Sequence, residues 1–110
     1  MIDWQRVINL KDEIGDEDFD EVVPLFIEEV SEITNRLRAG VDLDRLEGDL
    51  HCLKGSALNL GFSEFSDLCH AGESLSAKGK AATVDVTAIL DCFEVSKNAF
   101  LSGLQDGIAA

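Results

Sequence analysis

The sequence predicts an all-α protein, an up-down four-helix bundle with an additional short N-terminal helix, on three observations. Proline occurs once in 110 residues, so few breaks interrupt the chain. Apolar residues recur every three or four positions over most of its length. The hydrophobic fraction of 45% suffices for one core, and residues 1–110 are too few for two domains of typical size. We therefore expect a single domain.

The first two predicted helices lie on either side of Gly15. A short helix from Asp3 to Ile14 ends at this glycine and is expected to cap one end of the bundle. A longer amphipathic helix runs from Asp18 to Leu37 and stops at the sequence RAG. Pro24 is expected to bend it near its first turns, because proline removes a backbone hydrogen bond.

The third predicted helix carries a histidine. Asp42 or Asp44 can cap its start, and Gly61 ends it. One apolar stripe follows this helix and consists of Leu46, Leu50, Leu53, Ala57 and Leu60. At about 100° per residue the stripe fixes the buried direction, so His51 points well over a right angle away from the core.

Two further helices complete the predicted bundle. Ser63 is expected to cap the fourth helix, and the polar sequence AKGKAAT leads to the fifth. The residues expected to face inward are Phe65, Leu68, Cys69 and Leu75 in the fourth helix and Ile89, Phe93, Ser96 and Phe100 in the fifth. Because the connections are short, sequential helices are expected to be antiparallel neighbours.

Charge and hydropathy narrow the classes of function. Nine Lys and Arg against 22 Asp and Glu give a formal net charge of -13, which repels nucleic-acid phosphates and anionic lipid surfaces. No apolar run approaches the length of a membrane-spanning helix, and the first ten residues lack the basic start and apolar block of a signal peptide. We expect a cytoplasmic protein that binds neither nucleic acid nor membrane.

The cysteines and acidic residues do not favour a metal site. The three cysteines are odd in number and lack the spacing of a disulfide framework or a zinc motif. The possible ligands match no known site by their spacing, so structural roles are preferred for them: His51, Cys52, Cys69, His70 and Glu73. The acidic sequence DEIGDEDFDE lacks the ligand spacing of a calcium loop, which favours solvation and helix N-terminal charge.

The exposed face around His51 carries an unusual set of residues. Gly48 lies three residues before it and Gly55 four after it, although each glycine costs a helix about 1 kcal/mol relative to alanine. The two glycines clear an approach path to the imidazole, which is a competent nucleophile near neutral pH. Lys54 can stabilise a phosphoryl group on the ring as a point charge. Leu58, one turn further on, indicates docking of another protein rather than a small-molecule pocket.

Each of these features also has a plainer interpretation. His51 could be an ordinary surface histidine, and Lys54 a solvated side chain that happens to lie nearby. Gly48 could equally be a tolerated surface glycine. Leu58 could be one of the scattered exposed leucines that any protein has. The functional interpretation is preferred because all these residues surround a single imidazole.

The sequence HCLKGSALNLG, residues 51–61, resembles the signature H-x-L-K-G-S-A-x-x-L-G of bacterial histidine-containing phosphotransfer (Hpt) domains. The resemblance implies that His51 takes a phosphoryl group from the aspartyl phosphate of a receiver domain and passes it to the aspartate of another, or the reverse. It also implies that Lys54 steadies the phosphate, that Gly55 gives the receiver room, and that Leu58 belongs to the docking surface.

The resemblance extends into the fourth helix with one departure. Hpt domains often have a pattern similar to L-C-x-x-L-E there, and the sequence LCHAGE keeps Leu68, Cys69 and Glu73. Gly72 stands in place of the usual apolar residue. The packing of the fourth helix is therefore left open by the sequence.

These residues predict a phosphoryl carrier in a two-component phosphorelay rather than an enzyme. The chain has no Gly-rich phosphate loop or acidic Mg²⁺ pocket of a kinase, so no cofactor of its own is expected, and Mg²⁺ is expected on the partner receiver. The expected partners are response-regulator receiver domains, a hybrid histidine kinase, or both, and the protein is expected to be a monomer. The alternatives are a phosphorylation-independent adaptor or inhibitor that docks on a receiver or kinase, and a histidine-dependent phosphatase or metal site.

Overall fold

A computed structural model of the chain describes residues 2–105, and within this range it shows five α-helices and one short 3-10 helix. The α-helices are α1 (Trp4–Ile14), α2 (Asp16–Ala39), α3 (Leu43–Leu60), α4 (Ser63–Ala77) and α5 (Val86–Gln105), and the 3-10 helix spans Ala81–Thr83. Helices α2 to α5 form the up-down bundle, with α3 and α4 in the most extensive contact, and α1 packs against α2 and α3. The predicted fold class is confirmed.

The local signals at the ends of α3 are those that the sequence predicts. Asp42, rather than Asp44, is the N-cap, and its side chain accepts a hydrogen bond from the backbone N–H of Asp44 at 3.0 Å. Gly61 follows the last turn in the left-handed conformation with φ 77°, which glycine adopts without steric cost. The helix that carries His51 therefore begins and ends at capping residues that can be recognised from the sequence alone.

Three predictions about α2 and α4 need correction or stay open. Helix α2 begins at Asp16 rather than Asp18, because its first turn is entirely acidic and such residues favour a helix N-terminus. It runs through the exposed Pro24, and the bend expected there stays a prediction. Ser63 does not cap α4 but is its first residue: the carbonyl of the buried Phe62 already accepts a hydrogen bond from the N–H of Ser66, at 2.8 Å.

The core lies between the four long helices and contains nearly every residue predicted to face inward. The whole α3 stripe is buried, as are the four residues predicted in α5. In α4, Phe65 and Cys69 are buried, whereas Leu68 and Leu75 are only half-buried. The remaining inward positions of α4 belong to Ser66 and Gly72 instead, so the buried face of this helix is narrower and built from smaller residues than predicted.

Helix α1 is anchored to the end of the bundle where α3 turns into α4. The backbone N–H of Asp3 donates to the carbonyl of Gly61 at 2.7 Å, and Ile2 forms an isolated β-bridge with Phe62. The Trp4 ring stacks on Phe100 of α5 with centroids 5.9 Å apart. These contacts hold the turn between α3 and α4 in place, and with it the register of the two helices.

A part-buried ion pair joins α2 to α3. The guanidinium of Arg36 donates two hydrogen bonds to the carboxylate of Asp49, each of 2.8 Å. The hydrogen bonding by Arg36 lowers the pKa of Asp49 below its ordinary value of 3.8. Asp49 lies two residues before His51, so this pair ties α3 to α2 close to the histidine. Among residues 2–105, no helix is long and apolar enough to cross a membrane.

Candidate functional site

His51 lies in the middle of α3 with its imidazole open to solvent. Its side chain is 69% exposed, whereas Leu50 and Leu53, on the opposite side of the helix, are completely buried. The exposure that the apolar stripe predicts is therefore confirmed. The rigid, buried half of α3 holds the histidine backbone in place while the ring remains accessible.

One carboxylate, that of Glu73 on α4, contacts both His51 and Lys54. The Oε2 atom of Glu73 lies 2.7 Å from the Nδ1 atom of His51, and its Oε1 atom accepts a hydrogen bond of 2.6 Å from the Nζ atom of Lys54. The Glu73 side chain is 18% exposed, much less than the imidazole. The sequence predicts Glu73 only as part of the α4 pattern and as an unfavoured metal ligand, and it does not predict these two contacts.

The contacts of Glu73 determine which nitrogen of the imidazole is free. Hydrogen bonding by Lys54, followed by that of His51, holds the pKa of Glu73 below its ordinary value, so the carboxylate is ionised at neutral pH. An ionised carboxylate only accepts hydrogen bonds, and therefore Nδ1 of the neutral ring carries the proton and donates it. The lone pair then resides on Nε2, the nitrogen that does not contact Glu73. This is the arrangement in which a carboxylate fixes the tautomer of a reactive histidine.

Lys54 supplies positive charge beside the ring. Its ammonium group has three N–H donors, so it can bond a phosphoryl oxygen without leaving Glu73. Its side chain is 23% exposed and reaches from α3 to Glu73 on α4. Because His51 and Lys54 contact the two oxygens of a single carboxylate, the cation is held within a few ångströms of the imidazole.

The other predicted site residues surround His51 on the same open face. A methyl group added at Gly48 or at Gly55 would meet no other atom within 4 Å, so both positions border free space. Leu58 is 56% exposed. The structure thus brings His51, Lys54, Gly48, Gly55 and Leu58 onto one surface of α3, while their roles in phosphotransfer stay predictions.

The other residues considered as ligands are scattered. Cys52 and His70 are exposed, whereas Cys69 is buried and its pKa is raised to about 12, chiefly by desolvation. Within the part of the chain that the structure describes, no group of three or more His, Cys, Asp or Glu residues could hold a metal ion. The groups that the structure brings together at His51 are its imidazole, the Lys54 ammonium and the Glu73 carboxylate.

Comparison with known proteins gives one match. The family model described as Hpt domain matches residues 21–107, which include most of α2 and all of α3 and α4. His51, Lys54 and Glu73 all fall inside the matched range. Comparisons with curated proteins and with solved structures gave no match.

Proposed function

Because the chain belongs to the Hpt domain family, whose members carry phosphoryl groups rather than act as kinases, we propose that His51 receives and passes on a phosphoryl group in a two-component phosphorelay. The observation that carries this proposal is the exposure of the imidazole together with its contact to Glu73. It is 69% exposed, and its Nδ1 is held by Glu73 at 2.7 Å, which leaves the Nε2 lone pair free to act as nucleophile.

The proposed reaction is a reversible transfer between Nε2 and an aspartate of a receiver domain. The Nε2 lone pair attacks phosphorus, the N–P bond forms, and the bond from phosphorus to the aspartyl oxygen breaks, with its electrons returning to the carboxylate. The proton on Nδ1 stays there, so the phosphorylated ring is an imidazolium. Glu73 faces that positive charge and stabilises it. The return step reverses each of these changes, and Mg²⁺ is expected on the receiver.

The surrounding residues supply charge and access in this proposal. Lys54 bonds the phosphoryl oxygens as they approach Nε2, because its ammonium has donors to spare. Gly48 and Gly55 leave the space through which the receiver's active site reaches the ring. Leu58 gives the receiver an apolar contact one turn beyond.

The proposed partners are response-regulator receiver domains, a hybrid histidine kinase, or both. Such partners operate in the bacterial cytoplasm, so we place the protein there, as a monomer that meets each partner in turn. The strongly acidic composition supports selective docking, because a net charge of -13 repels other acidic surfaces.

The test is phosphorylation by purified phosphorylated receivers. The parent protein should gain a phosphoryl group that acid removes and base does not, because a phosphoramidate has these properties. His51→Gln should gain none, and its free energy of unfolding should stay within about 0.5 kcal/mol of the parent's, since the glutamine amide can donate to Glu73 in place of the ring and exposed residues away from caps and cores contribute little to stability.

The matched control is His70→Gln, which changes the second exposed histidine and should leave phosphorylation intact. Acid-stable phosphate, or phosphate on His51→Gln, would refute the proposal. A parent protein that binds receivers but never accepts phosphate would instead be an adaptor.

A further inference from the structure

Gly72 lies in the packed interface between α3 and α4, against Leu50. It is buried in the interior of α4, where glycine stabilises a helix less than alanine does. We therefore expect the absence of a side chain to serve the packing of α4 against its neighbours. A methyl group added there would lie 2.7 Å from Cδ1 of Leu50, 3.1 Å from Cγ1 of Val84 and 3.4 Å from Cδ1 of Ile89. The position therefore has no room for any side chain without movement of its neighbours.

Two of the three neighbours of Gly72, Leu50 and Ile89, are enclosed, whereas Val84 is half-buried. Leu50 is completely buried and Ile89 is 3% exposed, so neither can turn outward to make space. Protein interiors are packed as densely as organic crystals, and an added methyl group is accommodated by moving side chains or whole helices apart. At position 72, the Leu50 contact would have to lengthen from 2.7 Å to at least the 3.4 Å of ordinary contact.

The residues next to this contact are those of the candidate site. Leu50 immediately precedes His51, and Gly72 immediately precedes Glu73. The two hydrogen bonds of Glu73, of 2.7 Å to His51 and 2.6 Å to Lys54, therefore bridge α3 and α4 beside the contact between Gly72 and Leu50. A wider separation of the helices would stretch both bonds together.

We propose that Gly72 is a positioning residue of this site: its missing side chain sets the spacing between α3 and α4 at which Glu73 reaches His51 and Lys54 simultaneously. Gly72 acts on the imidazole through Glu73 and touches no reacting atom. The kinetic consequence rests on the proposed phosphotransfer at His51, whereas the structural consequence, control of the imidazole tautomer, does not.

The first measurement is the tautomer of His51 by ¹⁵N NMR at a pH where the imidazole is neutral. The chain has two histidines, and His70→Gln assigns their signals. The parent should show the Nδ1–H form. Gly72→Ala should shift the ring toward the Nε2–H form. Gly40→Ala is the matched control: Gly40 lies in extended backbone outside the site, where a methyl group meets nothing within 4 Å, and the parent spectrum should persist.

The second measurement asks whether the clash itself is the cause. Leu50→Val removes the Cδ1 atom that a methyl group at position 72 would meet, so the double variant Gly72→Ala with Leu50→Val should regain the parent tautomer. In a Glu73→Gln background, Gly72→Ala should cause no further change, because the residue through which it acts is already altered. A change that persists in that background would show that Gly72 acts by another route.

The third measurement is the rate of phosphotransfer from a phosphorylated receiver. Gly72→Ala should slow it roughly tenfold or more, since a displacement of about 1 Å can cost on the order of 10²-fold, and the double variant should recover. The proposal is overturned if Gly72→Ala keeps the parent tautomer, or if the double variant fails to regain it, whether or not the single variant folds. If the parent accepts no phosphate, the proposed function fails, while the tautomer measurements still decide the role of Gly72.

Discussion

Replacing Glu73 by glutamine should invert the imidazole tautomer, because glutamine cannot accept hydrogen bonds at both ends. The carboxylate has acceptors for both the Lys54 ammonium and the Nδ1–H of His51. An amide has one carbonyl oxygen and one NH₂ group. The charged ammonium should take the oxygen, since charge-assisted hydrogen bonds are the stronger ones. The NH₂ group then faces Nδ1, which must accept, and the proton moves to Nε2.

The size of this effect follows from the contacts that change. A hydrogen bond to a charged group contributes about 1.5–3 kcal/mol, and the open position of the His51 ring places the value at the low end. Because about 1.4 kcal/mol corresponds to a factor of ten, the population with a free Nε2 lone pair should fall about tenfold. The initial rate of phosphorylation by a receiver should fall by the same factor.

The assay is single-turnover phosphotransfer, with Glu73→Ala as the comparison. Alanine removes the acceptor and adds no donor, so the ring returns to the mixture of tautomers found in water, and Glu73→Ala should react faster than Glu73→Gln. Glu94→Gln is the matched control, since Glu94 pairs with Arg38 on α2 and Lys97 on α5, away from the site. Equal rates for parent and Glu73→Gln, or a slower alanine variant, would refute the reasoning.

Three further predictions concern the surface and the bundle. Leu58→Asp should weaken receiver binding and phosphotransfer together while helix content persists, measured by titration and circular dichroism; unchanged kinetics would remove Leu58 from the interface. Gly55→Ala should raise stability by up to about 1 kcal/mol, whereas Gly55→Leu should slow transfer strongly in a folded protein; an equally fast leucine variant would show that access does not depend on this glycine. Asp49→Asn should lower the free energy of unfolding by about 1–2 kcal/mol at neutral pH. Because Arg36 depresses the folded-state pKa of Asp49, its contribution is complete above the ordinary value of 3.8 and disappears as pH falls through the lower folded value. Parent and Asp49→Asn should therefore converge in acid melts, and a constant difference would argue against the pair.

The parts of the fold that local signals determine could be read from the sequence. The α3 stripe follows directly from a period of 3.6 residues, and all of its members are buried. The left-handed Gly61 and the Asp42 cap are decided within a few residues of chain. The exposure of His51 follows from the same stripe, so the accessible half of the site was predictable from one helix.

The chemical state of His51 depends on a second helix, which periodicity does not describe. Glu73 lies 22 residues further along the chain, and its contact with the imidazole requires the register of α4 against α3. The sequence also predicts only part of the buried face of α4, because the buried Gly72 and Ser66 are small and do not extend an apolar stripe. Hydrophobic patterns identify residues that need burial, and a glycine that permits close approach of two helices leaves no such signal.

A signal for the contact between α3 and α4 does exist in the spacing around their shared turn. Residues equally distant from a tight turn lie level in two antiparallel helices, because each helix rises about 1.5 Å per residue. Leu50 and Gly72 are each eleven residues from Gly61, and they pack against each other across the two helices. His51 lies ten residues before Gly61 and Glu73 lies twelve after it, a difference of two residues or about 3 Å of helix rise. Counting outward from Gly61 therefore places Glu73 about 3 Å of helix rise from the level of the histidine, within the reach of a glutamate side chain, and α1 and the bridge from Ile2 to Phe62 hold that turn in one register.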